Sequence, residues 1–157
     1  MTWKAMDPAR ACDLLEFWIN AAWPLTRAEV GALAVAELGW TIGAEGTLSN
    51  PVDALSQPAV LTSVIPDGQL ATLKFWVSDV VKDPGAEAVA FLDDQFALVV
   101  REGQRRWGKP KLLPGRHRSA QWDLSGGGRA RASRLSSSVS VEFTTPSYAQ
   151  VLRKLGE

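Results

Sequence analysis

The sequence predicts one α+β domain, in which helices pack a mainly antiparallel sheet of about five or six strands. Two observations lead to this prediction. Apolar patterns of helical and strand type follow one another in the order helix, helix, three strands, helix, three strands, helix. The strands are grouped and do not alternate singly with helices, as a parallel sheet would require. We therefore expect a single domain over residues 1–157, with an N-terminal helical hairpin, a long central helix and a C-terminal helix.

The helical hairpin is predicted from its capping residues. Asp7 followed by Pro8 is typical of a helix start, and apolar residues then recur at helical spacing. Thr26 and Glu29 have the spacing of a capping box that opens a second helix, which Gly39 should close. The two helices should meet along one apolar seam.

Three extended segments should follow the hairpin. The first begins at Trp40, and residues 49–58 then read as a long loop because they contain prolines, an asparagine and an aspartate. Residues 59–65 and 70–80 are rich in strand-forming side chains. The Pro-Asp-Gly sequence between them predicts a hairpin turn.

The longest helix is predicted after a second Asp-Pro pair, Asp83 and Pro84, and should end at Gly108. Its acidic residues lie early and its basic residues late, an order that suits the helix dipole. Three further strands are expected at residues 119–124, 129–135 and 138–144. Thr145 and Pro146 then open the last amphipathic helix.

Ten apolar side chains on periodic faces form the predicted core. They are Leu14, Trp18, Leu33, Leu73, Phe75, Leu92, Phe96, Val99, Val141 and Phe143. If Phe96 is fully buried, Phe96→Ala should cost about 3–5 kcal/mol.

The composition favours binding over chemistry. The chain has seven tryptophans but only one histidine and one cysteine. Tryptophan supplies rigid anchors for cores and interfaces, whereas zinc sites and activated nucleophiles need several histidine or cysteine side chains. We expect about five of the tryptophans to be core, and no catalytic residue, metal or cofactor. The single Cys12, the absence of a signal-peptide pattern and the absence of a long apolar run suggest a cytoplasmic protein.

A zero net charge conceals two opposite blocks. Residues 7–94 contain thirteen carboxylates and four basic side chains, whereas residues 101–134 contain ten basic side chains and two carboxylates. The blocks are either solvated faces that partly neutralise each other or a dipolar surface that orients a charged partner.

Three local patterns resemble functional motifs. His117 lies between two arginines with no nucleophile elbow nearby, which argues against catalysis. The glycines at 126–128 precede a strand and lack phosphate-loop spacing, so a hairpin tip is expected. The basic stretch 101–118 with Trp107 resembles a nucleic-acid footprint, but no nucleic-acid-binding motif accompanies it.

Short motifs along nearly the whole chain carry a family resemblance. They are Trp23-Pro24, Leu38-Gly39-Trp40, Trp107-Gly108-Lys109-Pro110, Trp122-Asp123-Leu124 and Thr145-Pro146-Ser147-Tyr148. In these the chain resembles an uncharacterised actinobacterial domain family whose members are similar to immunity proteins of polymorphic toxin systems. The resemblance implies a small cytosolic α+β antitoxin that protects the producing cell by binding a toxin domain. It assigns no functional residue.

We therefore expect a non-enzymatic, immunity-type antitoxin that binds a cognate toxin domain stoichiometrically. Because clefts that act on nucleic acids or phosphorylated cofactors tend to be positive, the contact is expected on acidic positions. These are Asp53, Asp79, Asp83, Glu87, Asp93 and Asp94. A second hypothesis is a small-ligand or regulatory domain with a tryptophan-lined concavity. A third, an enzyme of unrecognised chemistry, has the least support.

Overall fold

A computed structural model describes residues 2–157. Four α-helices are present in these residues, in the expected order. They are α1 (Pro8–Ile19), α2 (Arg27–Leu38), α3 (Ala86–Trp107) and α4 (Pro146–Lys154). A single 3₁₀ turn, Ala44–Gly46, lies between the first two strands.

The strands form one antiparallel sheet in the order β1-β2-β3-β4-β8-β7-β6-β5. They are β1 (Thr41–Ile42), β2 (Leu48–Ser49), β3 (Ala59–Val64), β4 (Leu70–Trp76), β5 (Lys111–Leu113), β6 (Arg118–Asp123), β7 (Arg129–Arg134) and β8 (Val139–Thr144). The α+β class is confirmed, but the expectation of five or six strands is wrong because the sheet has eight. The additional strands are β2 and β5, which are too short to show an alternating apolar pattern.

Most of the predicted helix caps form. Asp7 accepts a hydrogen bond from the backbone N–H of Ala9 (2.8 Å) at the start of α1. Thr26 and Glu29 make both hydrogen bonds of a capping box at the start of α2. Thr145 caps α4 by accepting from the backbone N–H of Tyr148. These side chains satisfy N–H groups that would otherwise lack a partner within the helix.

The predicted start of α3 at Asp83 and Pro84 is wrong. The helix begins at Ala86, its N-cap is Gly85, and no side chain caps it. Asp83 has a φ of 48°, a left-handed backbone conformation that an N-cap residue does not adopt. The Asp83 carboxylate is therefore exposed at the surface before α3 and does not cap the helix.

The core lies between one face of the sheet and the helices α1 and α3. The expected helical hairpin is wrong, because α1 packs mainly against α3 and β8, whereas α2 packs against β1. Eight of the ten predicted core residues are buried in the core. Leu33 and Phe96 are only half-buried, which corrects their placement. Phe96 lies at the side of α3, where the Arg118 guanidinium is 5.7 Å from its ring centroid. Helical spacing indicates the direction of a side chain, but it does not indicate how far the contact between a helix and the core extends.

The two faces of the sheet differ in chemistry. One cross-strand row on the core face consists of Leu112, Ala120, Ala132, Val141 and Phe75. The neighbouring row, on the opposite face, consists of Lys111, Gln121, Arg131, Glu142 and Lys74. Antiparallel sheets commonly bury one face and expose the other in this way. Burial on the polar face raises the pKa of Glu142, although Arg131 and Lys74 oppose the shift.

Candidate protein-binding surface

The six acidic positions predicted for partner binding do not form a single surface. Asp53 is held in the fold: Arg10 donates through Nε and Nη2 to its two carboxylate oxygens, both at 3.1 Å. Asn50 donates to the same carboxylate at 2.9 Å. Burial raises the pKa of Asp53, but the hydrogen bonds from Arg10 and Asn50 outweigh burial and the net pKa is lowered.

Asp79 and Asp93 also have structural partners. Asp79 accepts from the backbone N–H groups of Lys4 (2.8 Å) and Ser56 (2.9 Å) and thereby joins three segments. Asp93 accepts from Arg118 (2.5 Å) and Arg134 (2.9 Å), which join α3 to β6 and β7. Carboxylates engaged in this way have fewer acceptor positions left for a partner.

Asp83, Glu87 and Asp94 remain exposed. Within residues 2–157 none of the three makes a salt bridge or a side-chain hydrogen bond. Glu87 and Asp94 are seven residues apart, so they share one face of α3. Asp83 lies just before this helix. The three acidic residues therefore lie at the start of α3 and along its first half.

An aromatic pair lies among these carboxylates. The rings of Trp3 and Phe91 are 5.6 Å apart between centroids and tilted by 40°. Phe91 is four residues after Glu87 and three before Asp94, which places it on the same stripe of α3. Both aromatic side chains are half-buried. We call Trp3, Asp83, Glu87, Phe91 and Asp94 the α3-start surface.

A cleft of about 360 Å³ opens at this surface. Trp3, Asp83 and Glu87 line it together with Gly85, and the exposed Lys82 adds one positive charge to the two carboxylates. Its combination of a rigid aromatic ring and carboxylates without ion pairs is suited to a cationic protein side chain. Sequence reasoning missed Trp3 because it precedes the first helix and belongs to no periodic stripe.

The tryptophans differ in burial. Trp18, Trp40 and Trp122 are buried, and Trp23 and Trp107 are half-buried against the same core, so three of the five expected core tryptophans are fully enclosed. The five form two groups: Trp18 lies 5.8 Å from Trp40 and 6.4 Å from Trp23, and Trp107 lies 5.4 Å from Trp122, all between ring centroids. The remaining two, Trp3 and Trp76, lie outside the core.

A second, more apolar groove lies between α1 and α2. It has a volume of about 580 Å³ and is lined by Phe17, Leu25 and Leu33, with Glu29 and Glu37 at its border. No tryptophan lines it. Glu29 already belongs to the α2 capping box, and the hydrogen bonds from Thr26 lower its pKa.

Neither a metal site nor a membrane span emerges from the described chain. Residues 2–157 contain no group of three or more histidine, cysteine or acidic side chains placed to hold a metal ion. Among the helices within that range, none has the length and apolar character needed to cross a membrane. Burial raises the pKa of the Cys12 thiol to about 12, so this side chain stays protonated within the core.

The family of the chain follows from a match over most of its length. Residues 9–145 match the model of DUF6301, a family of unknown function. The chain belongs to this family. The matched range includes α1 to α3 and the whole sheet, and it ends just before α4. Neither a curated protein nor a solved structure matches the chain.

Proposed function

We propose that this DUF6301 protein is a non-enzymatic, immunity-type antitoxin that neutralises a secreted toxin domain by stoichiometric binding in the cytoplasm. The α3-start surface is the proposed contact. The observation behind the proposal is that Asp83, Glu87 and Asp94 are exposed without ion pairs beside the Trp3–Phe91 pair. The immunity assignment itself comes from the motif resemblance.

The chemistry of this surface fits such a role. Aromatic side chains in partly buried positions dominate the binding energy of many protein interfaces. Carboxylates around them accelerate association with a cationic partner and disfavour acidic ones. A toxin that acts on nucleic acids or phosphorylated cofactors has a positive cleft, and this surface would occupy it. The structural roles of Asp53, Asp79 and Asp93 restrict the proposal to the other three acidic residues.

Co-expression tests the function. Toxin domains encoded near the gene for this chain would be produced alone and together with it. We expect one of them to stop growth alone, growth to return with the chain, and a complex of equal stoichiometry to be isolated. If no toxin is rescued, or if rescue occurs without a complex, the antitoxin proposal is wrong.

Charge reversal tests the contact. Glu87→Lys with Asp94→Lys should slow association with the toxin and weaken its salt dependence, because steering by these carboxylates is lost. Stability should fall by no more than about 1 kcal/mol, since both side chains are exposed and the main cost is a lysine at the positive end of the α3 dipole. The matched control is Glu37→Lys with Glu45→Lys, which changes the charge equally at exposed positions elsewhere. If both double variants slow association with the toxin equally, the α3-start surface is not the contact.

The small-ligand hypothesis has one favourable observation, the apolar groove between α1 and α2. Its lining of Phe17, Leu25 and Leu33 suits an apolar ligand, in place of the tryptophan-lined concavity expected from the sequence. Mass spectrometry of the protein purified from its native cells would reveal a retained small molecule. A Leu33→Trp variant should then lose that molecule while keeping the rescue of growth.

A further inference from the structure

Strand β5 is an edge strand of the sheet, and it lies beyond the part of the sheet that the helices cover. It pairs only with β6, so the peptide groups on its outer side face away from the sheet. The opposite end of the sheet is the two-residue strand β1. Peptide groups on an outer strand can hydrogen bond to an added strand from another chain.

Leu112, in the middle of β5, has an unusual environment for its position. It pairs with Ala120, which is fully buried, and belongs to the core-facing row of the sheet. The alternation of side chains therefore directs Leu112 to the helical side. Its exposed fraction is nevertheless 71%, the highest among the exposed large hydrophobic residues. The core face of the sheet thus continues one strand beyond the helices that cover it.

A groove runs along α3 beside this uncovered strip. Phe96 and Val100 supply its apolar wall, and Arg118, two residues before Ala120 on β6, borders it. Two carboxylates also line the groove, those of Asp93 and Glu102, and both are paired with arginines. The groove has a volume of about 890 Å³. An additional strand on β5 could place side chains of one face over Leu112 and toward this groove.

The charges around the strip are basic and largely available. Arg101, Lys109, Lys111 and Arg116 are exposed, and none of them forms a salt bridge with the residues that the structure describes. Arg118 is already paired with Asp93. Four exposed cations beside an apolar strip are complementary to a segment that carries both carboxylates and apolar side chains.

The edge at β5 is protected only in part: the strand has three residues and lies between Pro110 and Pro114, but its inward side chain is apolar. Proteins commonly protect edge strands by directing a charged side chain inward. In β5 the inward position is Leu112, whereas Lys111 belongs to the polar face. The inward side chain therefore favours contact with an added apolar residue.

We propose that β5 binds an extended acidic segment of a partner protein by strand addition. The segment would hydrogen bond to the outer peptide groups of β5 and place an apolar side chain on Leu112. The carboxylates on its other face would lie beside Lys111 and Lys109. This site lies at a different part of the molecule from the α3-start surface and takes a partner of opposite charge. It does not depend on the antitoxin proposal.

The test uses the full chain labelled with ¹⁵N and a capped peptide of about nine alternating glutamate and valine residues. We expect amide shifts centred on residues 110–121 and slower amide hydrogen exchange in β5. A peptide with lysine in place of glutamate should not bind. N-methylation of alternate peptide groups should abolish binding if the outward N–H groups of the segment are needed.

Two variants locate the site. Leu112→Asp should weaken peptide binding by about tenfold or more, because it removes an apolar contact and adds a repelled charge. The matched control is Leu61→Asp, at a residue that is exposed on β3, and it should leave binding unchanged. Lys111→Glu should weaken binding about fivefold, mostly at low salt.

Three results would overturn the proposal. The first is the absence of amide shifts at about 1 mM peptide. The second is equal binding by the N-methylated peptide. The third is that a single-stranded DNA of about twelve nucleotides shifts the same amides while the acidic peptide does not, which would make the strip a nucleic-acid surface.

Discussion

The two ends of α3 carry opposite charge and use it differently. At the N-terminal end, Glu87 and Asp94 are exposed and have no ion pair among the described residues. At the C-terminal end, Arg106 donates to Asp13 (2.8 Å), Glu16 (3.0 Å) and Glu102 (2.7 Å). Its side chain is only 14% exposed. Both ends suit the helix dipole, but only the second fixes α3 to α1.

The comparison separates charges that hold the fold from charges that remain available. Arg106 satisfies three carboxylates on two helices, and these hydrogen bonds raise its pKa further although burial opposes the shift. Removing such a group leaves partners without a counter-charge. Substitution of Glu87 or Asp94 leaves no such partner without a counter-charge. A basic block in a sequence is therefore poor evidence of a binding surface until its ion pairs are known.

The largest expected effect concerns the buried face that anchors the N-terminal half of α3. Leu92 is 0% exposed, and Leu92→Ala should lower the free energy of unfolding by about 3 kcal/mol. Phe96→Ala, at a half-buried position, should cost about half as much instead of the value expected for full burial. Denaturant unfolding measures both. Equal losses would show that Phe96 contributes to the core as much as Leu92 does.

The second prediction concerns the C-terminal ion pairs. Arg106→Ala should lower the free energy of unfolding by about 2 kcal/mol, because three carboxylates lose a shared donor. Arg105→Ala is the control: its side chain is 68% exposed and bonds only to Glu102. The control should have a much smaller effect in the same denaturant titration. If the two variants unfold alike, Arg106 does not fix α3 to α1.

The third prediction tests how closely the C-terminal half is packed. A Cβ added at Gly103 would lie 2.7 Å from the Trp122 ring and 3.2 Å from the Trp107 ring. Trp122 cannot easily move, because its indole N–H donates to the Gly108 carbonyl at 2.7 Å. Gly103→Ala should therefore cost about 1–2 kcal/mol despite the better helix propensity of alanine. Gly126→Ala, where a Cβ meets open space, is the control in thermal unfolding. A stabilised Gly103→Ala would contradict the packing.

The smallest effect is a pH dependence. Hydrogen bonds from Arg105 and Arg106 lower the pKa of Glu102 from 4.5 to about 2. The folded state thus favours the carboxylate, so this stabilisation is complete above pH 4.5 and is lost as the pH falls toward 2. The difference in unfolding midpoint between the wild type and Glu102→Gln should shrink over that range. A constant difference would mean that Glu102 ionisation is not linked to folding.

The sequence alone predicts the features that depend on residues close together in the chain. The α2 capping box, the Asp7 cap and the Thr145 cap form as the residues indicate. Strands β2 and β5 could not be predicted, because two or three residues show no period and their pairing depends on neighbours distant in sequence. The start of α3 was misplaced since an Asp-Pro pair also fits a loop in which Asp83 is left-handed.

The candidate site was less predictable than the fold. Six acidic residues look alike in the sequence, but their use depends on tertiary neighbours. The partner of Asp53 is Arg10, at a sequence separation of 43 residues. The partner of Asp93 is Arg134, at a separation of 41 residues. Trp3 joins Phe91 only after the chain folds. The charge asymmetry indicated which part of the chain is acidic, but which of those carboxylates are available for contact depends on the three-dimensional arrangement.

The position of Trp3 gives the protein a natural optical reporter. Three tryptophans are buried in the core and two pack against it. The indole N–H of Trp76 donates to the Ser138 hydroxyl, and its ring centroid lies 5.2 Å from the Lys74 ammonium. Trp3 lies instead on the α3-start surface. A ligand that covers this ring would transfer one indole from a partly aqueous to a drier environment and displace the emission toward the blue. Trp3→Phe keeps an aromatic ring beside Phe91 while leaving the other six fluorophores as an internal reference.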